Sequence, residues 1–192
     1  MRDLTPSQKA VVTKITGICR DFAHNRTRTY LLIGEPGSGK TYLGQHLQRV
    51  KQCRCWNMVE DEWSSQLADP ASALDYLRSV FIQKSGGSAL LIDGFSAIHQ
   101  LHGDKWAKET LRDFSETPVT GTVFLIVTYS DEPHSPHLSR KDITQSFDNE
   151  NRILDLPFDF KDASAVCSAM NIIPKAALNL HELRILAEVR GG

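Results

Sequence analysis

The sequence is short of everything that would commit it to a membrane, a disulfide scaffold or a polyanion coat. Its longest strongly apolar runs, Ala89-Leu-Leu-Ile92 and Val123-Phe-Leu-Ile-Val127, fall far below the roughly 20 residues that a bilayer-spanning helix needs. The opening Met1-Arg-Asp-Leu-Thr-Pro-Ser-Gln-Lys-Ala10 lacks the apolar core of a signal peptide. The expectation is a soluble, cytoplasmic protein with no membrane partner. Cysteine is sparse: Cys19, Cys53, Cys55 and Cys167 are scattered, and Cys53-Arg-Cys55 has no second Cys or His pair at zinc-like spacing. If that segment is a strand, the two thiols share a face and read as buried, reduced cysteines. Neither sign of charge dominates, with 22 Lys+Arg against 23 Asp+Glu and a net charge of -1. That balance excludes a broadly basic nucleic-acid coat and leaves only a local cluster, Arg20, His24, Arg26 and Arg28, for phosphate-backbone contact or for a solvated loop. Internal repeats, low-complexity tracts and long linkers are missing as well.

What is present is ordinary globular usage, 41% hydrophobic and 23% charged over 192 residues, enough for one domain or one domain with a small appendage. Val11, Ile15, Ile18 and Phe22 recur at helical spacing, so about 6–24 reads as an amphipathic helix capped by Thr5 with Pro6 in its first turn. Tyr30-Leu-Leu-Ile33 reads as a buried strand. A helix follows from about Lys40, with Leu43, Leu47 and Val50 inward, and a second strand spans Cys53 to Val59. Asp69-Pro70 starts a helix through Leu74, Leu77 and Phe81 to the Gly86-Gly87 stop. Ser88 to Asp93 is a third strand, Lys105 to Phe114 a helix, Thr122 to Thr128 a fourth strand, 131–151 mostly loop, and Arg152 to Leu156 a fifth strand. Helices over Lys161 to Met170 and Asn179 to Val189 close the chain. Strands alternating with helices predict an α/β fold with a parallel sheet covered on both faces.

Gly34-Glu-Pro-Gly-Ser-Gly-Lys40-Thr41 matches G-x-x-x-x-G-K-[ST], between an apolar run and a helical pattern. Gly34, Gly37 and Gly39 let the backbone turn tightly and aim N–H groups at phosphate oxygens. The helix beginning near Lys40 adds its positive end. Lys40, expected as an exposed loop-end residue, reaches the β- and γ-phosphates, and the Thr41 hydroxyl ligates Mg²⁺. Glu35, Pro36, Ser38 and Tyr42 complete the nucleotide-binding set, with Glu35 pointing away from the phosphates. The second element is Ala89-Leu-Leu-Ile-Asp93, an apolar strand ending in an acid. Such an aspartate holds the Mg²⁺ shell in P-loop proteins; the alternative is an acid that only caps the next turn.

The Gly34–Thr41 loop, the Leu90-Leu-Ile-Asp93 strand, the Phe124-Leu-Ile-Val-Thr128 strand and the helical tail resemble the AAA+ and related STAND (NACHT-like) branch of P-loop ATPases, over about residues 28–190. The resemblance implies five parallel strands flanked by helices and a small C-terminal helical lid. The divisions are an N-terminal helix and linker at 1–29, an ATPase core at 30–157 and the lid at 158–192. It implies ATP and Mg²⁺ as ligands, and assembly with itself or within a larger protein complex, DNA being a further partner in this branch. Thr128, beside Ser130, matches the residue that senses γ-phosphate. Arg140 and Arg152 are candidates for the arginine that reaches a neighbouring subunit's nucleotide, and Arg184 for a lid arginine.

Two departures bear on turnover. Position 94 is Gly where many such ATPases carry the Glu that polarises water, so Glu35, Glu60, Glu62 or His99 substitutes for it or hydrolysis is slow. The later acidic pair of the NACHT pattern is replaced by Ser96-Ala97. Leu4-Thr-Pro-Ser-Gln8 resembles the adenine-reading segment of superfamily 1 helicases, with Gln8 as an adenine reader or as a plain helix-start residue. Three functions follow: an ATPase whose nucleotide state controls assembly, a nucleotide-bound module with little or no hydrolysis, or a small-molecule kinase with Arg140 in its lid loop.

Overall fold

The computed structural model describes residues 4–20, 28–58, 67–84, 89–119 and 121–169. In chain order they form α1 (Pro6–Arg20), β1 (Thr29–Gly34), α2 (Lys40–Arg49), β2 (Arg54–Asn57), α3 (Pro70–Lys84), β3 (Leu90–Asp93), α4 (Phe95–Glu116), β4 (Val123–Thr128), α5 (Arg140–Ser146), β5 (Ile153–Asp155) and α6 (Phe160–Ala169). All five strands run parallel in the order β2-β3-β4-β1-β5. The α/β class and the five-stranded parallel sheet are as the alternation predicts.

The central strands β1, β3 and β4 are apolar on both sides, and both sides are covered. Leu31, Ile33, Ile92, Leu125 and Val127 face a layer made by α3, α4 and α5 through Leu77, Phe95, Leu111 and Ile143. Leu32, Leu91, Phe124, Ile126 and Leu154 face α1 and α2 through Val11, Ile15, Leu43 and Leu47. Cys53 and Cys55 pack into this second layer as free thiols. β1 is fully buried at Leu31, Leu32 and Ile33, which anchors the start of the Gly34–Lys40 loop between β4 and β5.

The N-terminal helix is tied into the same body. Thr5 and Gln8 form a reciprocal cap, each side chain accepting from the other's backbone N–H at 3.3 and 3.0 Å. Ser7 N–H donates to the buried carboxylate of Asp162 on α6 at 2.9 Å. On α3, Asp69 caps through Ser72 N–H at 2.9 Å.

Two expectations are corrected. Val50 ends α2 and is 46% exposed rather than inward, because the helix stops before its next turn can cover that residue. The helix expected from Lys105 starts at Phe95: Gly94, in the left-handed region at φ 96°, turns the chain out of β3, and Gly103 at φ 85° kinks the helix midway and breaks its periodicity. The stretch 131–151 is mostly loop, as expected, and within it Ser139 Oγ accepts from Asp142 N–H at 3.1 Å and starts the short α5. The expected 179–189 helix lies outside the described residues. No helix among the described residues is long and apolar enough to cross a membrane.

Candidate functional site

The loop from Gly34 to Lys40 leaves the C-terminal end of β1 and enters α2. Gly37 and Gly39 take φ of 75° and 86°, a region that costs a residue with a Cβ. At Gly34 the constraint is space: a Cβ there would lie 2.7 Å from Ser38 Oγ and 2.8 Å from the Leu156 carbonyl. Ser38 N–H closes the turn on Glu35 O at 3.2 Å. Gly39 is the N-cap of α2, which has no side-chain cap and no acid of its own in its first turn, so the helix's own sequence leaves its positive end uncapped.

Lys40 is not exposed as expected. It is 6% exposed, its ammonium donating to Gly34 O at 2.8 Å, Glu35 O at 2.7 Å and Ser38 Oγ at 3.3 Å. The loop curls over its own lysine, and three short contacts replace solvent. Burial lowers its pKa from 10.5 to about 8, against the opposing pull of Asp93, Glu35 and Asp155.

Thr41 Oγ1 donates to Asp93 Oδ2 at 2.6 Å, while Asp93 Oδ1 accepts from Gly94 N–H at 2.7 Å. A hydroxyl and a carboxylate oxygen, 52 residues apart in sequence, thus converge beside the loop. This pair fits Mg²⁺, a hard ion that takes oxygen ligands and is commonly held by one or two protein groups with phosphate and water supplying the rest. β4 lies between β1 and β3, with Gly34 opposite Thr128. Thr128 therefore stands beside the loop, its N–H donating to Ser96 Oγ at 3.2 Å. Ser96, where an acid was expected from the resemblance, is a link between α4 and β4. Tyr129 N–H donates to Gly34 O at 3.2 Å, so that carbonyl receives both Tyr129 and Lys40.

The arginines separate. Arg140, at the start of α5, pairs with Asp155 at the end of β5 (2.8 Å), and Asp155 pairs in register with Ile33. Both line an open cleft of about 600 Å³ beside the loop strand. Burial pushes the Asp155 carboxyl up, against the pull of Arg140, Lys14 and Lys40. Arg152 goes elsewhere: it donates to Thr29 O at 3.3 Å and Ser115 O at 3.0 Å and lies 5.1 Å from the Phe147 ring. Thr29 begins β1, so Arg152 sits at the end of the sheet opposite the Gly34–Lys40 loop. Its committed guanidinium serves packing there. Arg184, Glu60 and Glu62 lie outside the described residues, as do His24 and Arg26.

Glu35 and Pro36 are exposed at the loop tip, and Tyr42 is half-buried in the first turn of α2. Gln8 is 1% exposed and engaged with Thr5. His99 is buried on α4 with Nε2 2.7 Å from Asp104 Oδ1. Two groups escaped the sequence reading. Asp155 ends a short strand and carried no motif, and His137 lies in a proline-containing loop that carried no motif of its own.

No protein-family model matches this chain, and none of the curated proteins compared with it matches either.

Proposed function

We propose that this chain is an ATP-binding ATPase of the AAA+/STAND type, working in the cytoplasm, whose nucleotide state controls assembly with itself or with a protein or DNA partner. One observation carries the reading: the buried Lys40 ammonium on loop oxygens lies beside a Thr41–Asp93 pair at the same end of a parallel sheet. Backbone N–H groups of the loop and the uncapped start of α2 bind the phosphates. Lys40 exchanges its carbonyl partners for phosphate oxygens, and Thr41 with Asp93 holds the metal shell. Mg²⁺, when bound, neutralises charge on the β- and γ-oxygens. Thr128 reports on the terminal phosphate through Ser96 to α4. Calorimetry with ATP and magnesium tests this: the wild type binds, Lys40→Ala and Asp93→Asn bind far more weakly, and unchanged affinity in Lys40→Ala would refute it.

A second reading, a nucleotide-bound module without turnover, is favoured by one feature. Gly94 offers no side chain beside Asp93, and its φ of 96° turns the chain directly into α4. Measuring phosphate release alongside binding separates the two.

A further inference from the structure

We propose that His137, with His99 behind it, takes the proton from the water that attacks the terminal phosphate, in place of the carboxylate that position 94 lacks. The inference rests on the ATPase reading above and adds to it the residue that performs the step.

Contacts of its neighbours bring the His137 segment toward the site from two directions. The Gly34 carbonyl holds Lys40 Nζ at 2.8 Å and Tyr129 N–H at 3.2 Å. Tyr129 is bridged to Leu138, and Ser130 N–H donates to Leu138 O at 3.0 Å. The loop between β4 and α5 therefore folds back onto the end of the sheet, and His137, just before Leu138, returns with it. From the other side, Ser96 touches the Thr128 amide, and His99 follows one helical turn later on the same face of α4. The titratable groups that act on His137 are His99 of α4 and Lys40 of α2. The other ionisable side chains of its loop, Asp131, Glu132 and His134, are exposed.

The chemistry suits a base. His137 Nδ1 is buried and has no hydrogen-bond partner, an expensive arrangement unless something else satisfies it. Burial, then His99 and Lys40, hold the imidazole pKa below its ordinary 6.5, so the ring is neutral at physiological pH. Among the described residues, the other candidates are placed differently: Glu35 is exposed at the loop tip, Ser96 Oγ is engaged by Thr128, and His99 Nε2 is held by Asp104. In the step, the water oxygen bonds to γ-phosphorus as the bond to the β,γ-bridging oxygen breaks, its electron pair leaving with ADP. The water proton passes to Nδ1 and then to solvent. ADP, inorganic phosphate and one proton are the products.

The test uses the full chain with ATP and magnesium. His137→Gln lowers kcat about 100-fold while KM and ADP affinity stay within about twofold. Wild-type kcat falls as the pH drops below 6.5, and the variant loses that limb. Ring NMR of the wild type gives a second readout without turnover: ADP with magnesium and vanadate moves the His137 resonance and leaves exposed His134 in place. Wild-type turnover in His137→Gln overturns the inference and leaves the ATPase reading standing. So does an ADP affinity that falls with kcat, which would make the residue structural. Binding by the wild type without turnover overturns the catalytic role, and no binding at all refutes the reading beneath it.

Discussion

Lys40 holds a charge that folding has taken out of water, and the free protein bears the cost. The fall from 10.5 to about 8 corresponds to about 3 kcal/mol against the ammonium. Because the folded value lies below the unfolded one, the penalty is complete below about pH 8 and vanishes as the pH rises from there to 10.5. Lys40→Met keeps the buried methylenes and discards the charge. We expect it to melt higher than the wild type near neutral pH, by up to about 3 kcal/mol, while binding no nucleotide; a lower melting point would contradict this. Gly34→Ala acts in the opposite direction. Its methyl meets Ser38 Oγ and the Leu156 carbonyl below 3 Å, and we expect a loss of about 1–3 kcal/mol in chemical denaturation together with weakened binding.

Among the elements, the contact of α1 with α6 turns on Asp162. Burial pushes its carboxyl up, but hydrogen bonds from Ser7, Thr5 and Asp159 outweigh it and leave it below 3.8. A depressed folded value means stabilisation that is present above the unfolded value near 3.8 and lost as the pH falls through the folded one. Asp162→Ala leaves the Ser7 and Asp159 amides without their acceptor, a cost of about 2 kcal/mol. Amide exchange of α1 should accelerate in that variant more than exchange of β1. The elements also mark where sequence reading stops. Long periodic segments and the loop consensus were legible because their causes are local. α4 was half missed because Gly94 and Gly103 interrupt its period. α5 was not separated from a stretch read as mostly loop because prolines precede it, although Ser139 and Asp142 carried a cap signal. Neither His137 nor Asp155 could be placed at the site, since only β4, β5 and the returning loop bring them there.

For the whole molecule, saturating nucleotide should raise the melting temperature. At about 100 times Kd the linkage is about 2.7 kcal/mol, or about 5–10 °C for a chain of this size. Lys40→Ala should show no such rise in differential scanning fluorimetry. If nucleotide state governs assembly, light scattering should report a larger species with a slowly hydrolysed ATP analogue than with ADP; equal masses would leave the binding and remove the assembly.

The placement of β1 in the sheet has a consequence for the newborn chain. Its hydrogen-bonded neighbours, β4 and β5, are encoded about 90 and about 120 residues later, and ribosomes add roughly 5–20 residues per second. The consensus loop emerges early, but for several seconds it has no adjoining strands to hold its shape. If the loop grips a triphosphate, it does so only after β4 and β5 have cleared the exit tunnel, so ligand capture waits on strands made well after the loop itself.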